Sequence, residues 1–305
     1  MIRRQPKEKV ESVNRSADIS YGIYHACCIA FCALFSLAVL VPLLHVIASS
    51  FSSAAAISGG RVYIWPIDIG FAGYEKVFGL PQIWRGYANS LLYVVMSVSI
   101  SISVIMLTAF LISRREFALS SPLSVLLIIS MLFSGGMIPS YIVVMKLGLL
   151  DTHWALVLPG ALVPMYVFMA LSYIRSSIPG ELFECSRIDG CSYMRYLLQI
   201  VVPLSKPIIA VLTLWVAVGQ WNSYFNAMLY LNTPTKYPLQ LVLRSFLVMG
   251  DFTLIDNAEE FAKRQELRYQ LQYVLIIIST VPVMILYPFV QKHFVKGIMI
   301  GSVKG

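Results

Sequence analysis

The chain has 305 residues, of which 58% are hydrophobic and 12% charged, with a mean hydropathy of +0.76 and a net charge of +8. That balance excludes a disordered chain and argues against an ordinary soluble globule. The positive charge calls for no nucleic acid, because its placement is that of a membrane protein with a basic inner face.

A bilayer core of roughly 30 Å needs about 20 apolar residues per helical crossing. Six runs meet that length, at 23–48, 90–113, 122–145, 154–174, 207–231 and 272–290. None of the 23 Lys and Arg or 15 Asp and Glu lies inside them, as expected when a mid-bilayer charge costs about 2.5–3.5 kcal/mol. The pattern predicts an all-α integral membrane protein with six transmembrane helices. Residues 1–22 form a cytoplasmic N-terminal tail, 23–290 the transmembrane domain and 291–305 a cytoplasmic C-terminal tail. Residues 1–22 look like the start of a secretory signal, but the run that follows, about 26 residues, exceeds an h-region and is read as a retained helix.

In chain order, the first outer loop (49–89) carries Tyr63, Trp65, Tyr74, Trp84 and Tyr87, an interfacial aromatic belt ahead of a ligand site. Gly148 and Asp151 mark a tight outer turn between the third and fourth runs. Pro159, Gly160 and Pro164 then interrupt the fourth run. Each proline removes a helix hydrogen bond, and such breaks survive in lipid only against protein or a water-filled cavity; a packing kink and a translocation path both fit. The outer segment 232–271 mixes five basic and five acidic residues. Its part 257–271 reads as an amphipathic helix, either a solvated cap or a contact with another protein.

With both termini inside, 14 of the 23 Lys and Arg fall on the inner side. The other nine lie mostly in long outer loops, where the positive-inside rule is weak. Cys27, Cys28 and Cys32 lie in the first span and Cys185 and Cys191 in an inner loop, with no zinc-like spacing. His25, His45, His153 and His293 are scattered, so no metal or histidine-based catalytic site is expected.

The inner loop 175–206 holds a compact mixed-charge stretch between apolar runs, ELFECSRIDG from Glu181 to Gly190, four of whose ten residues are charged. Pro179 suits a first helical position, and Glu181 and Glu184 suit the opening turns. Glu184 and Arg187 are i,i+3 neighbours, and Gly190 suits a left-handed helix end. A second run, 193–202, should stop at Pro203. The result is a helix-turn-helix knob across the inner face, apolar on one side and charged on the other, able to dock a soluble partner.

This segment resembles the EAA loop of permease subunits in bacterial ABC importers, whose pattern is Glu-Ala-Ala, three residues, Gly, nine residues, Ile, one residue, Leu-Pro. Glu184, Cys185, Ser186, Gly190, Ile200, Val202 and Pro203 keep that spacing, with small or apolar replacements at three places. SRIDG around Asp189, the turn from Pro203 to Pro207 and the ending YPFVQKHFVKGIMIGSVKG are similar to the carbohydrate-importer branch that includes the smaller maltose-importer permease. FSGGMIPSYIVVMKLGLLDTHWALVLPG and VGQWNSYFNAMLYL look like its subgroup for oligosaccharide and polysaccharide uptake.

The resemblance implies a binding-protein-dependent sugar importer in a bacterial cell membrane. Its partners would be a second permease, two ATP-binding subunits that hold ATP and Mg, and an extracytoplasmic sugar-binding protein. Glu184, Cys185, Ser186, Ile188, Asp189 and Gly190 would couple to the ATPase. The residues agree at one point: there is no G-x-x-x-x-G-K-[ST] phosphate loop and no buried ionisable relay, so the chain, with no cofactor of its own, must take work from a partner.

On the fifth run, Trp215, Gly219, Asn222 and Asn226 follow a helical stripe, with Gln220 and Tyr224 beside it. Amides, hydroxyls and an aromatic face suit an oligosaccharide, and they suit interhelical hydrogen bonds equally. Two rivals stand: an ion-coupled secondary sugar transporter, which lacks its ion relay here, and an integral membrane transferase, which lacks clustered carboxylates or histidines.

Overall fold

The computed structural model describes residues 7–114, 116–246 and 270–285, and every regular element among them is helical. They divide into two units, residues 1–74 with 258–277 and residues 75–257 with 278–305.

In the first unit, α1 (Lys7–Phe51) is a single helix of 45 residues. At 1.5 Å per residue it is about 68 Å long, roughly twice a hydrocarbon core. Its apolar part, Tyr21–Phe51, is long enough to cross a membrane; residues 21–44 are exposed, whereas Ala48, Ser49 and Ser50 near its end are buried. The chain after it is stitched back onto its end. Ser53 N–H donates to Ile67 O (3.1 Å), Ile67 N–H to Ser52 Oγ (3.0 Å) and Gly70 N–H to Phe51 O (2.9 Å), enclosing the short α2 (Ala54–Ser58). Trp65 projects from this loop at 81% exposure, so the aromatic belt remains as open to lipid as to any ligand.

The second unit is organised on α4 (Pro81–Ser113), which follows the short α3 (Ala72–Phe78). Pro81 supplies the preset φ of a first helical turn, so the helix begins nine residues before the apolar run at 90. One face carries Gly86, Ser90, Tyr93, Ser97, Ser101, Ile105, Ala109 and Ile112, all buried. Small residues at this spacing let neighbouring backbones approach closely, as membrane interfaces require. A Cβ on Gly86 would lie 3.1 Å from Leu239 Cα.

The three apolar runs that follow are not continuous helices. The run 122–145 divides into α5 (Ser120–Leu132) and α6 (Met137–Lys146), because the Gly135–Gly136 pair breaks it and Gly136 sits at φ +82°. The run 154–174 divides into α7 (Trp154–Val157) and α8 (Pro164–Ser177). Pro164 holds Val163 extended, so the interruption read from Pro159, Gly160 and Pro164 is a true gap of six residues. The knob elements, α9 (Gly180–Ile188), α10 (Tyr193–Tyr196) and α11 (Val202–Leu204), come next. The run 207–231 then divides into α12 (Lys206–Trp221) and α13 (Phe225–Tyr230).

After α13, a 3-10 turn at Pro234–Lys236 leads to α14 (Leu239–Arg244). The last described helix, α15, is Gln270–Ile285. The amphipathic helix expected at 257–271 and the end of the last run fall mostly outside the described residues.

α8, α12 and α14 pack on α4 and α5 joins them. Among the described residues of the second unit, two core clusters lie along α4. Tyr93, Val144, Leu156, Val157, Ala227 and Tyr230 fill one end of α4, and Phe110, Val167, Ile174, Phe183, Tyr196 and Val201 fill the other. By length and composition, two of the described helices can cross a membrane alone, and three if the bent pair Tyr193–Leu204 and Lys206–Trp221 is one span.

Candidate functional site: a docking knob and an internal cavity

The charged segment folds as a rigid knob. Pro179 is the residue before α9 (φ −58°, ψ 141°) rather than its first helical residue, because an extended ψ lets it turn the chain into the helix. At the other end Gly190 adopts φ +71°. Its N–H donates to Arg187 O (3.1 Å), and Cys191 N–H reaches back to Ser186 O (2.9 Å). These two bonds make a Schellman closure, with Gly190 at the position that favours glycine.

Phe183 and Ser186, one turn apart, are the buried face of α9. Glu184, Cys185, Arg187, Asp189 and Gly190 are exposed, and Ile188 is 86% exposed. Arg187 forms no ion pair with Glu184; its guanidinium lies 5.0 Å from the Tyr193 ring centroid. The knob therefore offers a convex tip with one bare aliphatic side chain ringed by charges of both signs.

The second helical run differs from expectation. It does not stop at Pro203: α10 passes through a π-turn at Leu197–Val201 into α11, which contains Pro203. A proline lacks the N–H that α-helical pairing demands, and the wider π-turn accommodates the mismatch. The chain ends this run at Ser205 and bends by 82° into α12.

The knob is joined to the bundle through aromatic rings. Phe183 meets Tyr196 edge-on (5.1 Å, 76°), and Tyr193 Oη donates to Glu116 Oε2 (2.9 Å). Arg114, at the end of α4, places its guanidinium carbon 4.3 Å from the Phe183 centroid, 5.1 Å from Phe110 and 5.3 Å from Tyr196. Its Nε is buried without an acceptor, an arrangement costing about 1–3 kcal/mol unless ring faces compensate.

Farther along α4, a cavity of about 150 Å³ opens between Ser97 and Ser101, the α7–α8 gap at Gly160, Tyr166 of α8, and Trp215, Gly219 and Gln220 of α12. Ser97 is 5% exposed, and its Oγ has no partner. The Tyr166 and Trp215 rings lie 5.6 Å apart at 46°. A Cβ added at Gly160 or Gly219 would meet nothing within 4 Å, so neither glycine is needed for close packing; both leave the cavity open. The volume holds several waters or a small hydroxyl-rich group.

Of the stripe read on the fifth run, Trp215, Gly219 and Gln220 border this cavity. Asn222 ends α12, Tyr224 sits in the break and Asn226 is on α13, so the helical register does not extend through all of them. Ser97, Ser101 and Tyr166 were missed. The alternating serines Ser97, Ser99, Ser101 and Ser103, in the middle of a largely apolar run, were the available signal for the first two.

At the opposite end of α4 from the knob, Asp151 (φ +55°) clasps the segment after α13. Its carboxylate accepts from Asn232 N–H (3.1 Å), Thr233 N–H (3.0 Å) and Thr233 Oγ1 (2.5 Å), and it pairs with Lys236 (3.1 Å). The Thr233 hydroxyl and backbone bonds hold this carboxyl well below the usual carboxylate range. Tyr93 Oη donates to Lys236 O (2.8 Å) and meets His153 Nδ1 at 3.0 Å.

Among the described residues, apolar and repeatedly broken helices border a cavity, with a preformed knob at one end, an arrangement that fits a membrane transport subunit. Residues 70–300 match the family described as "Binding-protein-dependent transport system inner membrane component", and the chain belongs to that family.

It is 38% identical over 283 residues to Protein LplC of Bacillus subtilis (strain 168), covering 93% of this chain and 95% of that protein. It is 36% identical over 275 residues to the polygalacturonan/rhamnogalacturonan transport system permease protein YtcP of the same organism, covering 90% and 96%. Among solved structures, it matches a chain of "a bacterial ABC transporter involved in the import of the acidic polysaccharide alginate" with TM-score 0.82 and 32% identity, over 91% of this chain and 98% of that one. The protein is thus a permease component of a binding-protein-dependent ABC import system, embedded in the inner membrane.

Proposed function

We propose that this chain is the non-catalytic, six-span permease half of an ATP-driven oligosaccharide importer, with both termini cytoplasmic. The two relatives named for polygalacturonan/rhamnogalacturonan and alginate point to a uronate-containing sugar as substrate. In this reading residues 1–22 and 291–305 are tails, 23–290 is the permease domain, and a second permease completes the translocation path. Two ATP-binding subunits, which hold ATP and Mg, seat the knob formed by Glu184, Cys185, Ser186, Ile188, Asp189 and Gly190.

The observation that carries this is the knob itself: a self-closed turn whose Ile188 is 86% exposed, uncovered by the described residues. A preorganised convex tip docks without an ordering penalty. On the substrate side, Trp215 and Gln220 at the cavity, with Asn222, Tyr224 and Asn226 beyond it, offer hydroxyl partners and ring faces. The cavity lining carries no charge, so it would meet a sugar's hydroxyl edge rather than its carboxylate.

Co-purification tests the reading. Solubilised in mild detergent from its own host, the chain should carry an ATP-binding subunit with it. Ile188→Glu, which puts a charge on the tip, should lower that recovery about tenfold, as loss of a central apolar contact does. Ion-driven uptake without any ATPase would overturn the proposal in favour of a secondary transporter.

A further inference from the structure

We infer that Arg114 is the positioning residue that locks the knob to α4, so that displacement of α9 arrives at the cavity along a single unbroken helix. The inference rests on the functional reading above, in which ATP-driven motion enters at α9.

Three buried rings from three different elements surround the Arg114 guanidinium: Phe110 of α4 at 2% exposure, Phe183 of α9 at 5% and Tyr196 of α10 at 0%. Among the described residues no carboxylate pairs with the cation. Among the described residues the one ion pair is Lys236 with Asp151, and the nearby Glu116 accepts from Tyr193 instead. The cation is therefore held by ring faces, which grip a flat guanidinium better than a point charge.

A second contact fixes the same helix end. Arg175 of α8 donates to Ile112 O (3.2 Å), so α4 and α8 end as one block with the knob pinned beneath them. From Arg114, α4 runs unbroken past Ser101 and Ser97 to Pro81. The other route from knob to cavity, through α12, passes a π-turn and the 82° bend at Ser205. On this inference a push on α9 is absorbed by that jointed route and delivered by the unbroken one.

The test uses the assembled importer in proteoliposomes with its binding protein, reading sugar uptake per ATP hydrolysed. A merely structural role lowers the amount of assembled complex and leaves this ratio untouched. In Arg114→Met the ratio should fall about tenfold, within the span usual for coupling between distant sites, and Arg114→Lys, which keeps a cation between the rings, should restore part of it.

Phe183→Leu, which removes one wall and keeps the cation, should give an intermediate ratio; it also serves if Arg114→Met fails to assemble. A wild-type ratio in either Arg114→Met or Phe183→Leu overturns the inference alone. A wild-type complex without ATP-driven uptake overturns the functional reading and this inference together.

Discussion

Gly190 permits a graded perturbation of the knob. Its φ of +71° lies in the left-handed region, and a built Cβ meets nothing within 4 Å. The penalty of a side chain there is conformational, not steric. For alanine it is about 1–2 kcal/mol, which changes the population of the closed turn roughly tenfold. Asparagine tolerates this conformation and should cost less. Proline should cost about 3 kcal/mol or more, because it fixes φ near −65° and removes the N–H that donates to Arg187 O.

None of these values approaches the 5–15 kcal/mol typical of a whole fold, so membrane insertion should persist in all three variants. Trypsin reads the opening, since Arg187 is exposed beside the turn and nicking follows the open population when closing is fast. The nicking rate should rise in the order Gly, Asn, Ala, Pro, with alanine about tenfold above wild type. Equal rates in wild type, Gly190→Ala and Gly190→Pro would refute the claim that the left-handed turn holds the knob closed.

Asp151→Asn should loosen the clasp on Asn232, Thr233 and Lys236 and lower the melting temperature at neutral pH. A carboxyl whose folded value lies below its ordinary one contributes stability that is full above the ordinary range, about 4, and fades as pH falls toward the depressed value. The difference in melting temperature between wild type and variant should therefore stay constant from pH 8 to 5 and shrink only in stronger acid; a gap already closing by pH 5 would contradict the geometry. Gly219→Leu should fill the cavity without a clash at its own Cβ, cutting uptake severalfold in transport assays while the amount of assembled complex holds, and unchanged uptake would remove the cavity from the path.

Much of the helical layout is visible in apolar run lengths, because burial in lipid is read from composition alone. The positions where runs break are less visible. Pro159 and Pro164 announce their gap, whereas the break between α12 and α13 falls at Asn222, Ser223 and Tyr224, where no residue forbids a helix. There tertiary packing of α13 against α7 and α14 overrides local preference.

The turn at Gly190 is legible because one residue type suits its φ. The π-turn before Pro203 is not, since the alternative, stopping the helix, satisfies the same local rule. Trp215 and Gln220 could be read from side-chain chemistry, but their companions Ser97 and Tyr166 come from other helices, and which faces meet is decided by packing. The ring cage around Arg114 is invisible for the same reason: its walls are 73 and 86 residues apart in sequence, Phe110 to Phe183 and to Tyr196.

The Schellman closure at Gly190 and Cys191 satisfies its backbone groups from within. A turn closed by its own backbone bonds keeps its shape without help from a neighbour. On the proposed reading an ATP-binding subunit would therefore meet a tip already in its final shape, and no refolding would be needed at contact.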